Sequence, residues 1–499
     1  MPSALYQTSD QDIALRAAID RSTRHPVMFF FTSGSAWLAV SIILGILPAI
    51  KMGYPEFLSA WGFLNYGRLF SAHMNALVYG WGMQAAFAAI IWLMARMSRK
   101  TCTAVGVILT AGHVWNFALS LGIIGILCGY GTGVPLMELP VFVWPVLLVC
   151  YILIVIWSFI QFRVRQQEHV YITQWYILAA MIWFPWIYLT ANVLVFCMDG
   201  HPLMAAGVNA WFHSTLVYLF FVPVGLGTAY YLSSKVTGRS VFSYRLTQLG
   251  FWILAIAGPW TGLQKLTGAP IPFFMPYLSA AATAVLFIPL AAAAMNNIQT
   301  MLSNRETLVG SPSLRFNLAG MFAMILVAAA GVILNIPGYS LNLTQFSISG
   351  YGFDVLAIYG SFSLVMFAAA YFIVPRVTLR EWVSRRVIGL HFLFTCYGVG
   401  AIAAAAIFGG LLQGQGMEMW REPWRVVGAL GNPYFVLVSI AWCFILFANL
   451  FFFTHLTLMW LRLGRRSSHP TLLAHGHSSS PHGEEGDIDN AGPGHLPVH

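Results

Sequence analysis

Imidazole is the side chain here best suited to hold a metal, so the 14 histidines are read first. His73 stands about one turn inside the apolar run Gly67-Arg68-Leu69-Phe70-Ser71-Ala72-His73-Met74-Asn75, which continues to Gly82. A lone polar ring on such a wall is costly without a partner. A haem iron, another side chain or a backbone carbonyl would each serve. His113, His213, His391 and His455 also fall in apolar runs, while His25, His169 and His201 lie at or beyond run ends. No two histidines are adjacent. The single His-x-His, His475-Gly476-His477, sits in a polar tail with His469, His482, His495 and His499. That tail reads as solvated chain, with weak metal binding the sharper alternative. The six cysteines (Cys102, Cys128, Cys150, Cys197, Cys396, Cys443) form no CxxC, so neither a zinc site nor a covalently attached haem has its signature.

The elements that position these residues are membrane spans. Of 499 residues, 59% are hydrophobic and 8% charged, with mean hydropathy +0.74. A soluble domain carries about 25% charged residues. Runs of about 20 apolar residues cross a bilayer. Twelve occur, near 27–50, 70–95, 102–126, 139–161, 173–197, 207–232, 245–266, 276–297, 314–336, 351–375, 387–410 and 433–461. With the N-terminus inside, 20 of the 25 Lys and Arg fall on the inner side, leaving Lys51, Arg68, Lys265, Arg421 and Arg425. That asymmetry fixes twelve spans with both ends cytoplasmic and explains the +9 charge without nucleic acid. The expected organisation is a polar N-terminal segment (1–26, no cleavable signal), an all-α twelve-helix bundle (27–461) and a disordered His-rich tail (462–499). The outer loop 411–432 carries Gln413, Trp420, Arg421, Trp424 and Arg425. It reads as an interfacial aromatic belt, or as a docking surface for another subunit.

From about residue 28 to 461 the chain resembles subunit I of haem–copper oxidases, closest to the cbb3-type cytochrome c oxidase branch. Gly67-Arg68-Leu69 followed by His73 is similar to the second-helix stretch carrying a low-spin haem b ligand. Gly225-Leu226-Gly227, Tyr230-Tyr231, Ser243-Tyr244-Arg245-Leu246 and Phe251-Trp252 resemble the sixth-to-seventh helix passage. Val374-Pro375-Arg376-Val377 resembles the end of the tenth helix. Leu390-His391-Phe392 and Gly410-Leu411-Leu412-Gln413-Gly414 resemble the eleventh helix and its loop. The resemblance implies a bacterial inner-membrane subunit of the respiratory chain. It would work beside other membrane subunits, a cytochrome c subunit among them, and its family uses two haems and a copper to reduce oxygen.

That chemistry takes six histidines, three of which must converge on copper. Here the resemblance places the adjacent copper pair at Gln264 and Lys265, the third copper ligand at Ser214 and the tenth-helix His-x-His at Phe353-Asp354-Val355. The family's cross-linked tyrosine falls at Gly258. His73 alone matches, as a haem b axial ligand or an inherited structural residue. His213 matches only by a one-residue shift, and otherwise hydrogen-bonds a neighbouring helix. The remaining span histidines read as structural. The expectation is at most one haem b, on His73, no copper, and no oxygen reduction by this chain alone. Lys265 and Asp354 are expected to approach one another as an ion pair, the alternative being that Lys265 snorkels outward. A non-catalytic scaffold or quinone-binding subunit, and a transporter, are the competing readings.

Overall fold

The computed structural model describes residues 10–198, 201–419 and 422–466. Trp420, Arg421 and the tail histidines lie outside these residues. Among those described the chain is all-helical, with one isolated antiparallel bridge, Arg380 to Arg466.

Twelve helices occupy the twelve expected runs: α1 Asp10–Gly53, α2 Tyr66–Ser98, α3 Val105–Cys128, α4 Val143–Arg163, α5 Ile172–Cys197, α6 Pro202–Thr237, α7 Tyr244–Ala257, α8 Phe274–Leu302, α9 Pro312–Ile333, α10 Ser349–Thr378, α11 Arg385–Glu418 and α12 Asn432–Trp460. Eleven are long and apolar enough to cross a membrane, and α7 is too short. Its run was expected to continue to 266. The helix ends at Ala257 because Pro259 has no N–H to continue the ladder, and Gly262 then turns the chain at φ +108°. That turn is available only to glycine: a Cβ there would strike the Ala210 carbonyl oxygen. The residues after it, Leu263–Leu266, form a 3₁₀ turn. At the N-terminal side the described chain is already helical at Asp10, and α1 continues without a break through Pro26 into the first apolar run.

Helices α2, α6 and α10 are buried on all sides, whereas the others bury about half of their surface. A helix apolar all round belongs inside a bundle. These are the helices that carry His73, His213 with Ser214, and Phe353 with Val355. Each has a π-helical turn that starts at or just beyond those residues: Ala76–Gly82, Val217–Phe221 and Val355–Ser363. Such turns rotate the side chains that follow and concentrate at functional sites. Outside this trio, α1 packs against α2 and α12, bringing side chains from both to His73.

Candidate functional site

Asn65 starts α2 by accepting the Arg68 N–H at 2.9 Å, and His73 follows between α1, α10 and α12. Its ring is fully buried. Nδ1 lies 2.7 Å from the Ser41 carbonyl oxygen, which can only accept, so Nδ1 carries the proton and Nε2 presents the lone pair. That lone pair faces the Tyr351 hydroxyl at 3.2 Å, and Trp442 Nε1–H donates to the same hydroxyl at 2.9 Å. The result is a directed relay across four helices: Trp442 to Tyr351, Tyr351 to His73, His73 to Ser41. Trp442 packs edge-on to the imidazole at 5.1 Å, and Gly45 makes room for it: a Cβ there would lie 2.7 Å from His73 Cε1.

An axial haem ligand typically has its non-ligating nitrogen fixed by a carbonyl, and Ser41 provides that. Nε2, however, is held by a phenol on the helix that would supply the second axial ligand. The residues at those positions, Phe353 and Val355, have no donor atom. The donor set therefore does not fit a six-coordinate iron.

The second cluster lies at the outer ends of α6 and α10 around a cavity of about 110 Å³ lined by His213, Ser214, Gln264, Lys265, Phe353 and Asp354, among others. His213 Nε2 meets Asp354 Oδ1 at 2.8 Å. Asp354 is therefore paired with histidine, which corrects the expected pair with Lys265. Among the described residues Lys265 makes no ion pair; its backbone oxygen accepts from Gln345 Nε2 at 2.7 Å. The physical reason is the end of α7: Lys265 sits on the 3₁₀ turn beyond Gly262, while His213 faces α10 across the buried interior. The other ligand positions are committed to polar contacts. Ser214 Oγ donates to Thr261 Oγ1 at 2.9 Å. Gln264 accepts from Ser279 Oγ at 2.6 Å and from the Gly262 N–H at 2.8 Å, and donates to Thr283 at 3.2 Å. Among the described residues no three His, Cys, Asp or Glu side chains converge. A His–Asp pair, a serine, an amide and an ammonium do not make a trigonal copper site.

The other span histidines have only local contacts. His391 Nδ1 meets the Tyr371 hydroxyl at 2.8 Å between Phe367 and Phe452. His113 Nδ1 bonds the Leu109 carbonyl of its own helix at 2.7 Å. His455 packs against Trp382.

Residues not anticipated from the sequence are Tyr351, Trp442, Ser41 and Glu138. Tyr351 and Val355 are one turn apart on α10 and so share a face. That spacing was a usable signal. Glu138, in the loop between α3 and α4, is 6% exposed and accepts from Asn75 Nδ2 at 2.6 Å. Burial pushes its carboxyl up to about 7, against opposing hydrogen bonds from Asn75 and Ser71. Asn75 stands two residues after His73, so this carboxyl braces the same end of α2.

A family model described as cytochrome c and quinol oxidase polypeptide I matches residues 25–444. The cbb3-type cytochrome c oxidase subunit CcoN1 of Stutzerimonas stutzeri is 25% identical over 395 residues, 77% of this chain and 82% of that protein. Cytochrome c oxidase subunit 1 of Rhodobacter capsulatus is 23% identical over 406 residues, covering 77% and 74%. In three dimensions the chain resembles a heme–copper terminal oxidase solved as a dimer by cryo-EM, with TM-score 0.64 and 14% identity over 94% of this chain and 89% of that one.

Proposed function

Because the chain belongs to the cytochrome c and quinol oxidase polypeptide I family, we propose that it is a cbb3-like subunit I of a bacterial respiratory membrane complex that does not itself reduce oxygen. One observation carries the reading. The histidine nearest the copper position, His213, is paired with Asp354, which is the middle residue of the tenth-helix ligand pattern. The remaining positions, Ser214, Gln264, Lys265, Phe353 and Val355, offer no replacement ligand set. Copper has no place in this reading. The central helices and their π-helical turns keep the oxidase framework, which suits a scaffold or a polar relay within a larger complex. Partners are other membrane subunits of that complex, a cytochrome c subunit among the candidates. Both chain ends lie on the cytoplasmic side, as the clustering of Lys and Arg supports. The transporter reading has nothing left to support it.

A version with one haem b on His73 is the closest rival. It requires the Tyr351 hydroxyl to leave Nε2 and Trp442 to lose its acceptor, so the relay favours a structural His73.

A pyridine haemochrome assay and copper analysis on the purified chain test the proposal. The expected result is neither copper nor stoichiometric haem. Two haems b and a copper per chain would overturn it, whereas one haem b that disappears in His73→Ala would establish the rival version.

A further inference from the structure

At the arginine-rich end of the bundle a cavity of about 140 Å³ opens between the first turns of α1, the ends of α2 and α6 and the starts of α5 and α7. Its wall carries Arg16, Arg96, Arg99 and Lys235 and, among the described residues, no carboxylate. Acids that are not part of this lining hold Arg96 and Arg99: Asp20 meets Arg96 at 3.2 Å, and Asp12 pairs with Arg99. The floor is apolar, with Ile19, Met97 and Ile172.

Two hydroxyls on α6 line this space without a hydrogen-bond partner, Tyr230 OH and Ser234 Oγ. They are one turn apart, on one face of the helix. Tyr230 is 1% exposed, and the neighbouring Asn296 gives its Oδ1 and one Nδ2–H to Ser243, so at most its second N–H faces the phenol oxygen and the phenol proton has no acceptor. Buried hydroxyls are rarely left unpaired, and two lining one cavity point to a ligand oxygen.

We propose that this cavity binds an anionic amphiphile. An oxyanion head, carboxylate or phosphate, accepts hydrogen bonds from Tyr230 and Ser234 and faces the cationic wall. Its alkyl chain crosses Ile19, Met97 and Ile172 and continues into the bilayer. The level is right for such a molecule, because the wall is built from first and last turns of spans, where lipid headgroups lie. Guanidinium and ammonium groups bind oxyanions by charge-assisted hydrogen bonds. The site lies at the opposite end of the bundle from the Lys265–Asp354 cavity, and its occupancy does not depend on the metal content of the chain.

The test uses the full chain, stripped of lipid in a neutral detergent. It is titrated separately with oleate, phosphatidylglycerol, phosphatidylcholine and inorganic phosphate, and retained mass is read by native mass spectrometry. One oleate or one phosphatidylglycerol per chain is expected, and which of them is held identifies the head as carboxylate or phosphate. Ser234→Leu, which fills the cavity, abolishes retention. The double variant Tyr230→Phe, Ser234→Ala nearly preserves volume and weakens retention about tenfold, so the test stands even if the first variant does not fold. Equal retention of phosphatidylcholine, binding of inorganic phosphate as tight as that of either amphiphile, or parental affinity in the double variant overturns the proposal.

Discussion

Replacing Tyr351 by phenylalanine removes one oxygen and leaves the ring in place. That oxygen is the acceptor for Trp442 Nε1–H at 2.9 Å and the donor to His73 Nε2 at 3.2 Å. Both partners are buried, and neither has a second contact at the same atom. A buried polar group stripped of its partner costs about 1–3 kcal/mol, so with two such groups the variant should lose about 2–6 kcal/mol in all. For a chain of 499 residues that corresponds to a fall of about 2–6 °C in the thermal midpoint. The assay is thermal unfolding in detergent at a fixed scan rate, with inactivation half-lives alongside because membrane proteins seldom unfold reversibly. A double-mutant cycle isolates the relay. Trp442→Phe removes the donor to the same oxygen, so the double variant should be less destabilised than the two single variants together, by about 1 kcal/mol or more. A parental midpoint for Tyr351→Phe, or strict additivity with Trp442→Phe, would refute the relay. An iron on His73 gives a different pattern, in which Tyr351→Phe is silent and His73→Ala loses absorbance in the Soret band.

Two further outcomes follow from the polar contacts. Glu138 has its carboxyl raised from 4.5 to about 7 by burial, so the native state binds a proton that the unfolded chain releases between those values. Its contribution to stability is complete below about pH 4.5 and is lost as pH rises through 7, a difference of about 3 kcal/mol. Glu138→Gln should flatten the decline in thermal midpoint between pH 5 and 8, and an unchanged pH profile in that variant would contradict the assignment. At the other cluster, Asp354→Leu should cost about 1–3 kcal/mol by leaving His213 Nε2 without an acceptor, whereas Lys265→Met should change stability by less than about 0.5 kcal/mol. The reverse ranking in the same thermal assay would mean that Lys265 is the true partner.

The bundle was legible in the sequence because bilayer thickness imposes a length on every span and the uneven distribution of arginine supplies an independent count. The truncation of α7 was not, since a hydropathy window registers Gly258, Pro259 and Gly262 only as three more uncharged residues. The partner of Asp354 was misread for a related reason. Hydropathy puts Lys265 on a helix that stops at Ala257, about two turns earlier, and the partner that Asp354 takes is His213.

The legible and illegible parts of the site meet on α10. Its positions 353 and 355 point to opposite sides, since two residues turn an α-helix by about 200°. Each side has its own substitute chemistry. On one, Asp354 beside Phe353 takes His213; on the other, Tyr351, one turn before Val355, takes His73. A buried imidazole lone pair needs a donor from somewhere, and a phenol a turn away on the same face is the nearest place a helix can put one. Reading only the six ligand positions shows His73 in place and five other residues without a ligand set, on α6, on the turn after α7 and on α10. Reading one turn to either side shows that buried His73 and half-buried His213 are both met by the same helix, so these two polar contacts to α10 are made within the chain itself.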